Sequence, residues 1–285
     1  MAKILDGKKI AGELKKILRD EAADLKNKSG SEIILASVVI GSDAGAKIYA
    51  SAQQKLCEEM GIGYIRKDMP AGVALKEIIK CFIGLTQQKA TGIIVNQPLP
   101  ADIDYTDVIE CLSPALDVEC IHPANFGKFY SGYKGFAPCT ASAVMELLKY
   151  TKTDLLNKEI VIIGYSRIVG KPLALMLDER ATITTCHVGT AEDSLKRHIN
   201  NADVLISAVG KEGFNIPGEW IKKGAIVIDV ATRRSGSSIT GDIDFKAAQS
   251  SASFITPVPG GVGPITNVML IRNLLYLYKE QRKKI

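Results

Sequence analysis

Tyr49 and Gln53 stand one helical turn apart in the stretch K-I-Y-A-S-A-Q-Q-K, Lys47 to Lys55. The apolar spacing from Asp43 to Gly61 predicts a helix closed by a glycine. On such a helix the two side chains lie about 40° apart, so an aromatic ring and a neutral amide share one face. Lys55 falls about 240° from Tyr49 and roughly 160° from Gln53, so the nearest amine points elsewhere. An amide holds a ligand by hydrogen bonds but neither takes nor gives a proton near neutral pH. Read alone, the pair either orients a flat ligand or covers a helix face.

A second set of candidates comes from glycines placed after apolar strands. Gly164-Tyr165-Ser166-Arg167-Ile168-Val169-Gly170-Lys171-Pro172 follows V-I-I and turns into a helix, where backbone N–H groups and the helix dipole could hold a pyrophosphate. Its spacing is not G-x-G-x-x-G, and a purely structural turn has the same look. Val209-Gly210-Lys211 and Val230-Ala231-Thr232 also follow apolar strands, at the carboxyl edge where open sheets bind ligands. Together the three loops favour a nucleotide cofactor. Thr256-Pro257-Val258-Pro259-Gly260-Gly261-Val262-Gly263-Pro264-Ile265-Thr266 alternates stiff and sterically open positions. It suits close approach of a flat ligand, or a rigid loop that ends the sheet.

The elements that must position these residues alternate between strand and helix. Apolar strands are expected at Ile33 to Ile40, Ile93 to Val95, Ile160 to Ile163, Thr182 to Cys186, Val204 to Ser207, Ile226 to Val230 and around Phe254. Amphipathic helices are expected at Gly7 to Lys26 and Val73 to Thr86. Such alternation means an α/β fold with a mostly parallel sheet. A polar connector near Tyr150 to Lys158 suggests two domains, as the length of 285 residues does. With 46% hydrophobic and 24% charged residues the chain is ordinary globular protein, not disordered. The net charge of +5 is spread thinly apart from Arg282 to Lys284, which argues against nucleic acid as a partner. Six scattered cysteines and three histidines show no metal-ligand spacing, so no metal is expected and the thiols suit a reducing, cytoplasmic location. No apolar run reaches the roughly 18 residues of a membrane span.

The chain resembles the methylenetetrahydrofolate dehydrogenase/cyclohydrolase family. T-P-V-P-G-G-V-G-P-I-T, the G-x-S-x-x-V-G-x-P turn at Gly164, I-T-G-D-I-D-F at Ile239 to Phe245 and the Tyr49 helix occur there in this order and spacing. The resemblance implies a catalytic α/β domain over residues 1–150 that binds folate, and a Rossmann NAD(P)-binding domain over 151–261. It further implies a C-terminal helix from about 262 to 285 that returns to the first domain, a cleft between the domains, and a homodimer. The implied activity is that of an oxidoreductase of one-carbon metabolism. Hydride passes from 5,10-methylenetetrahydrofolate to the nicotinamide, and the methenyl product is hydrolysed to 10-formyltetrahydrofolate. By the same resemblance Tyr49 and Gln53 are the catalytic positions. Tetrahydrofolate derivatives would meet Tyr49, Asn96, Gln97, Pro98, Glu119, Pro259, Gly260 and Gly261. The cofactor would meet Gly164, Tyr165, Ser166, Ile168, Val188, Gly189, Gly210 and Thr232.

Several positions depart from that pattern. The family carries a lysine where Gln53 stands, and the proton transfers of methenyl hydrolysis need a group that titrates. V-Q-L-P-L-P becomes Val95-Asn96-Gln97-Pro98-Leu99-Pro100, so the amide is either shortened or moved one place along. D-V-D-G becomes Asp117-Val118-Glu119-Cys120, a longer carboxylate and a bulkier residue. Basic side chains that grip the 2′-phosphate of NADP are replaced by Tyr165, Val188 and Gly189, which favours NAD. Arg167, Lys171, Arg233 and Arg234 leave NADP possible. The expected function is an NAD-linked methylenetetrahydrofolate dehydrogenase with weak or absent cyclohydrolase activity. The alternatives are a bifunctional enzyme using another group, and a folate- or nucleotide-binding protein without turnover.

Overall fold

The computed structural model of the protein describes residues 1–235 and 238–283, apart from the side chains of 234, 235 and 238. Lys284 of the basic cluster and the Arg234 side chain thus lie outside the described residues. In chain order the strands are β1 (Lys3–Ile4), β2 (Ile34–Ile40), β3 (Gly63–Met69), β4 (Gly92–Asn96), β5 (Glu159–Ile163), β6 (Thr182–Cys186), β7 (Val204–Ser207), β8 (Ile226–Asp229), β9 (Arg233–Ser235), β10 (Ser238–Thr240) and β11 (Phe254–Ile255). The helices are α1 (Gly7–Ser29), α2 (Ala44–Glu59), α3 (Leu75–Gln87), α4 (Tyr105–Glu110), α5 (Pro123–Tyr130), α6 (Cys139–Thr151), α7 (Gly170–Leu177), α8 (Glu192–Asn201), α9 (Phe245–Ala248) and α10 (Val262–Arg282).

The chain divides into two compact units, one of residues 1–12 with 140–266, the other of 13–139 with 267–285. In the second of these a three-stranded parallel sheet runs β3-β2-β4. Its core is formed by Val38, Ile40, Ile78, Phe82, Leu85, Ile93 and Val95, which the alternation of apolar strand and amphipathic helix places inward. The α2 helix starts where the Asp43 side chain accepts the Ala46 N–H at 2.8 Å and ends just before Gly61, whose φ is +65°. β3, G-Y-I-R-K-D-M, was hidden from periodicity by its charges. As an edge strand it is only half-buried, so polar residues cost little there.

The unit that carries the glycine loops holds a six-stranded sheet in the order β1-β11-β8-β7-β5-β6, every pairing parallel. From β5 the chain goes outward to β6, then crosses back to β7, β8 and β11 on the other side. The strand order therefore reverses between β5 and β7, the place where open parallel sheets bind ligands. This is the two-unit α/β arrangement with a Rossmann-type sheet expected from the sequence. β1 was not legible because two residues carry no period, and its pairing with β11 is made only in the folded chain.

Candidate active site

In the unit that carries Tyr49, three buried polar side chains close a ring. Ser37 Oγ donates to Gln53 Oε1 at 2.9 Å, Gln53 Nε2 donates to Asn96 Oδ1 at 2.9 Å, and Asn96 Nδ2 donates to Ser37 Oγ at 2.7 Å. Asn96 Nδ2 also donates to the Val38 carbonyl at 3.0 Å. Ser37 lies on β2, Gln53 on α2, and Asn96 is the last residue of β4. Each is no more than 1% exposed, so any partner lost here leaves a buried polar atom unpaired. Ser37 was missed from the sequence, although a lone hydroxyl within the apolar run I-L-A-S-V-V-I was a usable signal. Of the two readings of the proline loop, the shortened amide is the one that meets Gln53. Gln97 and Pro98 beyond it are exposed.

Tyr49 lies one turn before Gln53, half-buried. Burial lifts its phenol above the ordinary value, the charges of Glu119 and Cys139 add to this, and a hydrogen bond with the Gln53 side chain opposes it. Glu119 is thereby placed within electrostatic reach of Tyr49. Burial, then the neighbouring Asp117 charge, push the Glu119 carboxyl up to about 8, while a hydrogen bond from Tyr105 holds it back. Tyr105 Oη donates to Glu119 Oε2 at 3.4 Å. Asp117 is a structural carboxylate: it accepts from the N–H groups of Glu119, Ile121 and His122 at 3.2, 3.0 and 2.9 Å and from Asn125 Nδ2 at 2.9 Å. Cys120 follows with φ +59°, a left-handed conformation that glycine adopts at least cost.

In the other unit, the loop candidates all fall at one edge. Gly164, Val188 and Gly189, Gly210 and Thr232 follow the carboxyl ends of β5, β6, β7 and β8, which run parallel. Gly164 has φ +99°, and a Cβ there would stand 2.4 Å from the Ala208 carbonyl oxygen, so only glycine fits between the β5 and β7 loops. Ser166 Oγ accepts the Val169 N–H at 3.2 Å and its carbonyl accepts the Lys171 N–H at 2.9 Å, fixing the entry to α7. Tyr165 and Ser166 are exposed and Ile168 is half-buried. The Lys171 ammonium sits 5.7 Å from the Tyr165 ring centroid. Val188 is 75% exposed, and the Gly189 N–H donates to His187 Nδ1 at 3.0 Å. These open, glycine-shaped loops at the switch point fit a dinucleotide.

The C-terminal loop packs on backbone. The Gly7 N–H donates to the Gly260 carbonyl at 2.9 Å, and a Cβ on Gly7 would lie 1.6 Å from the Gly261 oxygen. Gly260 has φ +109°, and a Cβ on Gly261 would meet the Pro257 oxygen at 2.7 Å. Pro259 is exposed beside them. Among the described residues no His, Cys, Asp and Glu group could hold a metal ion, and no helix is long and apolar enough to cross a membrane.

The sheet with its switch-point loops defines a dinucleotide-binding α/β protein joined to a second α/β unit with a buried polar site. Residues 5–119 match the tetrahydrofolate dehydrogenase/cyclohydrolase catalytic domain, and residues 138–282 match the NAD(P)-binding domain of the same proteins. The chain belongs to the tetrahydrofolate dehydrogenase/cyclohydrolase family. It is 43% identical over 284 residues to the bifunctional protein FolD of Geotalea daltonii, covering 99% of this chain and 100% of that one. The structure of bifunctional FolD from Campylobacter jejuni is similar with a TM-score of 0.91 and 36% identity, over 99% of this chain and 100% of that one. The Trypanosoma brucei methylenetetrahydrofolate dehydrogenase-cyclohydrolase, complexed with NADP and an inhibitor, gives 0.94 and 33% over 99% of both chains.

Proposed function

We propose that this protein is a methylenetetrahydrofolate dehydrogenase in which the hydrolytic half-reaction is weak or absent. The observation that carries this reading is the neutral ring of Ser37, Gln53 and Asn96 beside Tyr49. Where the family has an amine, this chain has an amide whose oxygen and nitrogen are both already engaged. Hydride transfer needs alignment of donor and acceptor rings and asks for no side chain that titrates. The bound nicotinamide serves as the hydride acceptor. Adding water to the methenyl carbon and opening its ring need proton transfers, and Gln53 offers none.

NAD is the preferred cofactor in this reading. Tyr165, Val188 and Gly189 present no cation to a 2′-phosphate, and one missing charge-assisted contact corresponds to about tenfold in kcat/KM. The Lys171 ammonium over Tyr165 is the group that would reverse the preference. A second reading, a bifunctional enzyme, is favoured by Glu119: a carboxyl titrating near 8 exchanges protons at neutral pH and lies within electrostatic reach of Tyr49.

One assay tests all three points. Purified protein is given methylenetetrahydrofolate with NAD or NADP, and reduced cofactor and methenyl product are followed at separate wavelengths. The expected result is equal formation of both, with NAD favoured and methenyl product accumulating. Formation of reduced cofactor without methenyl build-up would favour the bifunctional reading. Equal or better use of NADP would assign the phosphate grip to Lys171 or its neighbours, and no turnover would leave a binding protein.

A further inference from the structure

A carboxylate fixes the Val209–Gly210 loop from behind. Asp242, which is fully buried, accepts from Ser207 Oγ at 2.8 Å, from the Val209 N–H at 2.8 Å and from the Gly210 N–H at 3.1 Å. Arg233 supplies the counter-charge, its Nε 3.7 Å from Asp242 Oδ1. The guanidinium also donates to the Lys211 carbonyl at 3.0 Å and to the Gly241 carbonyl. Asp229, at the end of β8, accepts the Ala231 N–H at 3.1 Å and the Ile243 N–H at 3.0 Å, while its own N–H donates to Thr256 Oγ1 at 2.8 Å. A Cβ on Gly241 would lie 2.0 Å from Asp229 Oδ2, so the segment can pass the carboxylate only as glycine.

The direction of these bonds decides what the loop offers outward. In a trans peptide the N–H and the carbonyl point in opposite directions. With the Val209 and Gly210 N–H groups committed to Asp242, the carbonyls of Ala208 and Val209 turn away from it. The Ala208 carbonyl accordingly lies beside Gly164, at the reversal of strand order. The β7 loop thus presents acceptors, whereas at the start of α7 the Val169 and Lys171 N–H groups are already taken by Ser166 and Pro172 has none.

We propose that Asp242 is a positioning residue for the dinucleotide: it turns the β7 loop so that its carbonyls receive hydroxyl or carboxamide donors of the cofactor. Arg233 and Asp229 tie this orientation to the Ala231–Thr232 loop. The proposal rests on the reading that this unit takes NAD or NADP.

The test is a fluorescence titration of the full-length protein with NADH and NADPH, in the unmodified form and as Asp242→Asn. The asparagine amide keeps the size but turns an N–H toward a loop N–H. The dissociation constant for the preferred dinucleotide should rise by about tenfold, with KM for methylenetetrahydrofolate moving by less than about twofold. A merely structural role would move both constants together. A folded Asp242→Asn protein that binds the dinucleotide unchanged overturns the proposal alone. An unmodified protein that binds neither dinucleotide overturns the cofactor reading and the proposal with it. Should Asp242→Asn fail to fold, Ser207→Ala decides, since it removes one donor to the carboxylate and leaves the two loop amides. A rise of about threefold in the dinucleotide constant supports the proposal, and no change overturns it.

Discussion

A lysine placed at position 53 would find two oxygens waiting, Asn96 Oδ1 and Ser37 Oγ, both now bonded to or bonding with the glutamine. Neither carries a charge, and the site is buried, so the ammonium would be desolvated and its pKa lowered toward the range useful for acid/base catalysis. Gln53→Lys should therefore raise methenyl hydrolysis above the uncatalysed rate by roughly 10²- to 10⁴-fold, with a pH profile that reports the new amine. Lys55→Ala should change neither half-reaction, because Lys55 is exposed while Gln53 is buried. Efficient hydrolysis by the unmodified protein, abolished in Lys55→Ala, would overturn both statements. At this scale the sequence exposed Gln53 and Asn96 as separate departures from the family pattern. That they hydrogen-bond each other was not legible, since they lie 43 positions apart and meet only when β4 pairs beside β2.

Glycine has a different meaning at the scale of elements than composition suggests. T-P-V-P-G-G-V-G-P-I-T suits by composition either a flat ligand or a rigid loop that ends the sheet, and in the fold it packs on the start of α1. Gly7, the first residue of that helix, bonds Gly260 and leaves no room for a methyl group against Gly261. Gly7→Ala should lower stability by on the order of 3 kcal/mol, because the clash is with backbone that cannot step aside. A thermal midpoint within about a degree of the unmodified protein would show that the loop yields instead. The parallel strands were legible because they are short apolar runs bounded by turns, and their order was not. Asp242 sat in plain view within I-T-G-D-I-D-F, yet its role depends on β7, 35 positions earlier. Motif spacing locates such a residue, and only the folded loop shows which atoms it holds.

For the whole molecule, two carboxyls make stability depend on pH in an unusual direction. Glu119 is raised from 4.5 to about 8 and Asp229 from 3.8 to about 7, in each case chiefly by burial. Both pKa values in the folded state exceed those of the unfolded chain, so the unfolded state releases its protons first as pH rises. Their contribution is fully present below about 4, declines through 7 to 8, and is constant above that. The urea midpoint should fall between pH 5 and pH 8, and Glu119→Gln should flatten the upper part of that decline. A midpoint that rises over the interval would contradict the burial of these groups. The pairing of β1 with β11 bears on how the molecule is made. Lys3 lies beside Phe254, 251 positions later, so β1 is synthesised well before the strand it pairs with and waits for that strand before it can take its place. Until β11 is in place, β8 has no neighbour on that side of the sheet. Deleting Lys3 and Ile4 would leave β11 as a bare strand edge, where another chain can add itself.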